Sequence, residues 1–314
     1  MSNLHIVCGA GPIGWTVAEQ LADRGQRVRV LTRSGSGPDH PLVERIPADV
    51  SDPNALTAAF GGDTVTAVHM CIHGSAYRAA TWELELPAAE RAVLDAAGKT
   101  GTVVVFPESL YSYSDPHRVM AEDSPRTARS GKRGIRTRLL ADRAAHTTPT
   151  VSVVASDYFG PRALNAHAGE RMVPTVLAGG IPRVLGAADV PHSFTYVPDL
   201  AAAMIAAADT PAVWNTVVHA PTAPAVTQRE MVAAFAVAAG IPEPKVGTIP
   251  SWVLRGGGLV NRDMRELTEM LYQFTDPFVM DSERSERALG ITATPLPVAA
   301  AETVRWWREH ATTA

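Results

Sequence analysis

The sequence predicts a doubly wound α/β fold, a parallel sheet with helices on both faces, completed by a smaller C-terminal lobe. Three observations predict it. Short apolar runs alternate with helical patterns through the first half of the chain. A glycine-rich segment, Gly9-Ala10-Gly11-Pro12-Ile13-Gly14, separates the first such run from the first helical pattern. After Asp157 the alternation gives way to Pro, Gly and mixed turns.

Residues 4–8 (Leu-His-Ile-Val-Cys) read as a buried strand, and 15–24 carry apolar groups at Val17, Ala18, Leu21 and Ala22, which is helical spacing stopped by Gly25. Residues 27–32 alternate like a second strand. A Gly-x-Gly-x-x-Gly segment in that strand–helix–strand setting is the fingerprint of a Rossmann-type dinucleotide site. Gly9 permits the tight turn, Gly11 lets the backbone approach a pyrophosphate, and Gly14 lets the helix pack on the strand. Pro12 and Ile13 belong to this cofactor-binding segment, and the N-terminus of the helix that follows offers free N–H groups to the phosphates. At the end of the second strand the usual ribose-binding carboxylate is replaced by Thr32-Arg33-Ser34. Arg33 can pair with a 2′-phosphate and Ser34 can add a hydrogen bond, so NADP is the expected cofactor and NAD the second choice.

The pattern then repeats. Residues 45–48 are a short third strand and 52–60 a short helix, with Asp52 as N-cap and Pro53 at its first position. Strands are expected at 65–72, 102–106 and 150–155, and helices at 86–99 and 131–146. Further on, 216–220 reads as a strand, and 227–239 and 299–309 as helices. The expected division is a nucleotide-binding domain over 1–160 plus about 194–225. A substrate lobe takes about 161–193 and 226–314, in line with roughly 150 residues per domain for a chain of 314.

Composition narrows the function. With 46% hydrophobic and 19% charged residues the chain is no disordered protein. Its net charge of −4 speaks against a dedicated nucleic-acid binder. The apolar runs are too short for a membrane span, the start lacks a secretory pattern, and a cytoplasmic location is expected. Two cysteines, Cys8 and Cys71, build neither a disulfide framework nor a four-ligand zinc site. His69, Cys71 and His73 alternate, but no carboxylate joins them, and no metal is expected. The expected partner is a small-molecule substrate.

The layout resembles the extended short-chain dehydrogenase/reductase superfamily, the NAD-dependent epimerase/dehydratase family. The resemblance rests on Gly9–Gly14, on Asp49-Val50, on Leu110-Tyr111-Ser112, on Asp157-Tyr158-Phe159-Gly160-Pro161, and on the segment from His192 to Ala201. It implies that Asp49 and Val50 lie near the adenine, that Tyr158 and Phe159 shape the nicotinamide and substrate pocket, and that the chain is a homodimer through helices 86–99 and 131–146. Cys71 and Pro107, at strand ends, are expected to border the cofactor, and His73, Glu108 and Ser109 the substrate. Such enzymes carry Tyr-x-x-x-Lys, yet none of the six tyrosines here is followed four residues on by lysine. Ala128 stands where the tyrosine is expected and Lys132 where the lysine is. Tyr111, with Lys132 at the nicotinamide ribose, is the expected replacement. The leading expectation is an NADP-dependent oxidoreductase on a small carbonyl or hydroxyl compound. The alternatives are an epimerase or dehydratase that retains its cofactor, and a non-catalytic NADP sensor.

Overall fold

The computed structural model describes residues 3–257 and 261–310. Its strands are β1 (Leu4–Cys8), β2 (Arg27–Thr32), β3 (Val43–Pro47), β4 (Val65–Met70), β5 (Val103–Ser109), β6 (Thr150–Ala155), β7 (Asp157–Phe159), β8 (Arg183–Leu185), β9 (Phe194–Tyr196), β10 (Thr216–His219) and β11 (Gly247–Ile249). The helices are α1 (Pro12–Asp23), α2 (Pro53–Phe60), α3 (Ala79–Gly98), α4 (Gly131–Ala145), α5 (Val173–Leu177), α6 (Val197–Ala208), α7 (Gln228–Ala239), α8 (Ser251–Gly257), α9 (Arg262–Thr268), α10 (Tyr272–Thr275), α11 (Glu283–Leu289) and α12 (Leu296–His310).

Seven strands form one parallel sheet in the order β10-β6-β5-β4-β1-β2-β3. The chain winds outward from β1 in one direction through β2 and β3, then in the other through β4, β5 and β6. This reversal opens a crevice at the carboxyl ends of β1 and β4, where such sheets bind ligands. β1 and β6 are buried at every position, as expected of strands covered on both faces. Val17 and Leu21 of α1 share one core with Leu200 and Met204 of α6. On the opposite face Leu56 of α2 packs with Val93 and Leu94 of α3.

Local chemistry explains the boundaries. Asp52 accepts from the Asn54 N–H and Pro53 opens α2, which ends on left-handed Gly61. Thr227 and Glu230 close a reciprocal capping box on α7, and Gly240 ends it at φ 68°. Some elements run longer than expected, α3 and β5 among them. α3 starts at Ala79 rather than 86 and carries Pro87 inside, because Trp82 and Leu86 bury against Ile135 and Leu139 of α4. β5 continues through Pro107 to Ser109, because Pro107, Glu108 and Ser109 stay in register with Val153, Val154 and Ala155 of β6.

The second hydrophobic core gathers Val173 and Val176 of α5, Phe235 of α7 and Trp307 of α12. Two short parallel pairs, β7 with β9 and β8 with β11, edge it. β10 returns to the main sheet beside β6 after the chain has contributed α5 and β8 to this second core. No helix among the described residues is long and apolar enough to cross a membrane.

Candidate active site

A cleft of about 640 Å³ opens at the crevice. Its floor is Gly11, Pro12 and Ile13 after β1, and residues from Cys71 to Tyr77 after β4. One wall is Pro107 to Tyr111 at the end of β5 and the other is Ala155 to Tyr158 at the end of β6, with Phe274 and Phe278 above.

The three glycines have three separate reasons. Gly9 has φ +99°, and a Cβ there would stand 2.9 Å from the Cys71 carbonyl oxygen. A Cβ on Gly14 would overlap the Gly9 carbonyl oxygen, so α1 can approach β1 only with glycine here. Gly11 is different, since nothing in the protein lies within 4 Å of a Cβ built on it. It is the N-cap of α1 and offers no side chain to that end. The residues therefore fit a dinucleotide: an uncrowded backbone at a helix N-terminus, facing the cleft.

At the end of β2, Arg33 is exposed, and its charge helps hold the Asp49 and Glu85 carboxyls below their usual range. In both, the larger cause is a hydrogen-bonded serine, Ser51 for Asp49 and Ser75 for Glu85. Ser34 Oγ donates to Ser36 Oγ at 2.9 Å. Val50 is buried with Leu31 and Val68 beside it. Cys71 lines the cleft floor, and burial pushes its thiol far up. His73 also lines the cleft; burial, then the nearby Arg136 charge, pushes its pKa down to about 4.

Tyr111 enters the cleft, as does Tyr77, and their hydroxyls are 3.0 Å apart. Trp82 lies parallel to the Tyr111 ring at 6.4 Å. Burial drives the Tyr111 phenol well above its ordinary value, the opposite of the activation an acid–base tyrosine needs.

Two expected positions, Lys132 and Phe159, do not line the cleft, and a third, Glu108, lines it with its carboxylate already paired. Lys132 is fully buried, with Nζ 2.6 Å from Glu266, 3.0 Å from Glu269 and 4.8 Å from the centre of the Tyr77 ring. It does not line the cleft; Glu266 of α9 and Glu269 just after it hold the ammonium at the N-terminus of α4. Glu108 belongs to a strand rather than a solvated turn, and its side chain is fully buried. Its carboxylate accepts from Arg143 Nη1 and the Ser109 N–H, both at 2.8 Å, so the residue borders the cleft with its charge already engaged. Arg143 also holds Glu90, at 2.6 Å. Phe159 packs into the second core, 5.4 Å from Tyr196 and 6.2 Å from Phe235, and stays out of the cleft. Pro107, Ser109 and Tyr158 line the walls.

Sequence reasoning missed the pair at the end of β6. Asp157 lines the cleft, and its Oδ2 is 2.8 Å from His192 Nε2. His192 is fully buried, and its Nδ1 is 3.0 Å from the Gln273 carbonyl oxygen. Arg136 was missed too; it lines the cleft with its guanidinium 4.8 Å over the Trp82 ring. A carboxylate two positions past the last sheet strand was the available signal for Asp157, because that strand end faces the ligand. His192 comes near only through the pairing of β7 with β9, which no local pattern reveals. Among the described residues no cluster of three or more His, Cys, Asp or Glu could hold a metal ion.

A model of the NAD dependent epimerase/dehydratase family matches residues 5–217, more than half of the chain. The chain belongs to this family. No curated protein matches it. Among solved structures, the Bordetella bronchiseptica enzyme WbmH in complex with NAD+ superposes with a TM-score of 0.78 at 20% identity, covering 99% of both chains. An epimerase from Methanothermobacter thermautotrophicus gives 0.78 at 16% identity, over 99% of this chain and 94% of that one. A UDP-glucose 4-epimerase from Thermotoga maritima, solved with UDP-glucose, gives 0.74 at 16% identity, over 98% and 99%. These likenesses show the fold. None of the six tyrosines of this chain is followed four residues on by lysine.

Proposed function

We propose that this chain is a nicotinamide-nucleotide-dependent epimerase or dehydratase acting on a small hydroxyl or carbonyl compound and retaining its cofactor through each cycle. Family membership supports this reading over a reductase that consumes NADPH. The observation that carries it is continuity: the open backbone of Gly11 and the paired hydroxyls of Tyr77 and Tyr111 line one cleft. When bound, the cofactor takes and returns a hydride. The chain's residues bind it, orient the substrate and exclude water.

Gly9, Gly11, Pro12, Ile13 and Gly14 would hold the pyrophosphate, with Asp49 and Val50 at the adenine side. Arg33 supports NADP as the preferred form, with NAD second. Tyr111, braced by Tyr77 and Trp82, would hydrogen-bond the reacting substrate oxygen. Pro107, Ser109, Tyr158, Cys71 and His73 would border cofactor and substrate. A homodimer through α3 and α4 is part of the same reading.

The test is to release nucleotide from freshly purified protein with acid and identify it by mass spectrometry. Near-stoichiometric NADP(H) or NAD(H) is expected. Protein that comes nucleotide-free and oxidises added NADPH in proportion to product would return the reading to a consuming reductase. Protein that binds neither NADPH nor NADH in a fluorescence titration would remove the enzyme reading altogether.

A further inference from the structure

His192 presents two ring nitrogens to two oxygens. Nδ1 faces the Gln273 carbonyl at 3.0 Å, and Nε2 faces the Asp157 carboxylate at 2.8 Å. A carbonyl oxygen can only accept, so Nδ1 must carry a proton. A carboxylate can only accept as well, so Nε2 must also carry one, or Asp157 must itself be protonated. With both contacts made as hydrogen bonds, the pair holds one proton more than a neutral imidazole and a carboxylate do.

The surroundings are built to hold this arrangement. The His192 backbone is tied on two sides, exchanging N–H···O bonds with Val226 while the next N–H, from Ser193, reaches Phe278. Its ring packs among Phe194, Phe274 and Phe278, with centroids 4.6, 5.3 and 5.3 Å away. Such ring faces suit a cation. Asp157 makes its only ion pair with His192 among the described residues, and its side chain is 19% exposed at the cleft wall. The titratable groups that feel the pair are Tyr77, Tyr111, Tyr158, Tyr272 and His167. Burial holds all of them neutral near pH 7, raising the phenols and lowering His167 to about 4.

We propose that Asp157 is the group that accepts and returns the substrate proton, and that His192, protonated on both nitrogens, positions and charges it for that task. This rests on the proposed function and gives it the proton carrier that the missing Tyr-x-x-x-Lys would otherwise supply. The step balances. The substrate O–H bond breaks, and its proton forms an O–H bond with the second Asp157 oxygen. The electron pair left on the substrate oxygen becomes the carbonyl π bond, and the C–H pair departs as hydride to a nicotinamide nucleotide. In the return half the same proton goes back, so no other acid is consumed.

The test needs the whole chain with 15N-labelled imidazoles, the His192 signals being assigned by their loss in His192→Gln. At pH 7 both His192 nitrogens are expected to carry protons, and Asp157→Asn should return the ring to its one-proton form. A bare ring nitrogen in the wild type at pH 7 would overturn the proposal. The nucleotide-loaded protein is then assayed on acetoin, glyceraldehyde and UDP-glucose as probes. With whichever turns over, Asp157→Asn should lower kcat about 100-fold or more, the usual worth of a general acid–base group. Nucleotide Kd should stay within about twofold, and Asp157→Glu should restore part of kcat. An undiminished kcat in Asp157→Asn also overturns it. If the wild type binds no nucleotide, the functional reading falls, and the ring-nitrogen spectrum alone decides the proton assignment.

Discussion

Lys132 Nζ sits 2.6 Å from Glu266 Oε2, joining the first turn of α4 to α9. A lysine that occupies the expected sequence position of a catalytic one is thus employed as a link between two helices, and its ammonium is fully buried. Removing it leaves two glutamates facing each other. Because those glutamates are partly exposed, the loss should fall at or below the usual range for breaking a buried pair, about 3–5 kcal/mol. Lys132→Met should therefore lower the urea midpoint and leave the NADPH Kd unchanged. A large loss of nucleotide affinity with unchanged stability would return Lys132 to the ribose.

The glycine loop separates binding from folding. Gly11→Ala places a methyl group where the protein has nothing within 4 Å, so stability should hold while nucleotide affinity drops about tenfold or more. Gly14→Ala drives a methyl into the Gly9 carbonyl, so both properties should fail together. Paired urea and fluorescence titrations distinguish the two variants.

Arg33→Asp should abolish any preference for NADPH over NADH without affecting the fold, since the side chain is exposed. A tenfold preference corresponds to about 1.4 kcal/mol. Competitive titration of wild type and variant with both nucleotides measures it. Equal affinities in the wild type would assign the site to NAD.

Acid should destabilise the chain well above the range of ordinary carboxylates. Burial holds His73 and His167 down at about 4 against an ordinary 6.5. Below pH 6.5 the unfolded chain binds protons that the folded one refuses until about pH 4, so stability present above 6.5 is lost across that window. The urea midpoint should fall steadily from pH 7 to pH 5, and His167→Gln should flatten part of the slope. A midpoint independent of pH would mean that these rings take up protons as readily in the fold as in the unfolded chain.

Tyr111→Phe offers a check on which group moves the proton. It removes one hydroxyl pair, worth about 1 kcal/mol, and one hydrogen bond to substrate. KM should rise and kcat should fall by about tenfold or less, far less than in Asp157→Asn. A Tyr111→Phe variant as inactive as Asp157→Asn would make the phenol the proton carrier.

The sheet was legible because most of its strands are short apolar or alternating runs bounded by turn residues, and because the glycines leave few alternatives; β3 (Val-Glu-Arg-Ile-Pro) carries the weakest pattern. Gly9, Gly11 and Gly14 were readable from spacing alone. Glu108 was not, since its role depends on β5 continuing past Pro107 and on Arg143 arriving from a helix 35 residues later. Phe159 was a pocket residue only by family resemblance, and its side chain packs against Phe235 in the second core. Asp157 and His192 meet across 35 residues, a relationship set by tertiary pairing rather than by any local period.

The return of β10 to the main sheet constrains how this protein can be divided. The edge strand beside β6 and helix α6 against α1 are both supplied by chain that follows the first excursion into the second lobe. A fragment ending at residue 160 would expose β6 as an open edge and strip the apolar face of α1. The nucleotide-binding half is therefore not a detachable cassette: grafting a foreign substrate lobe onto it would require two splice junctions, one on each side of the β9–β10 segment.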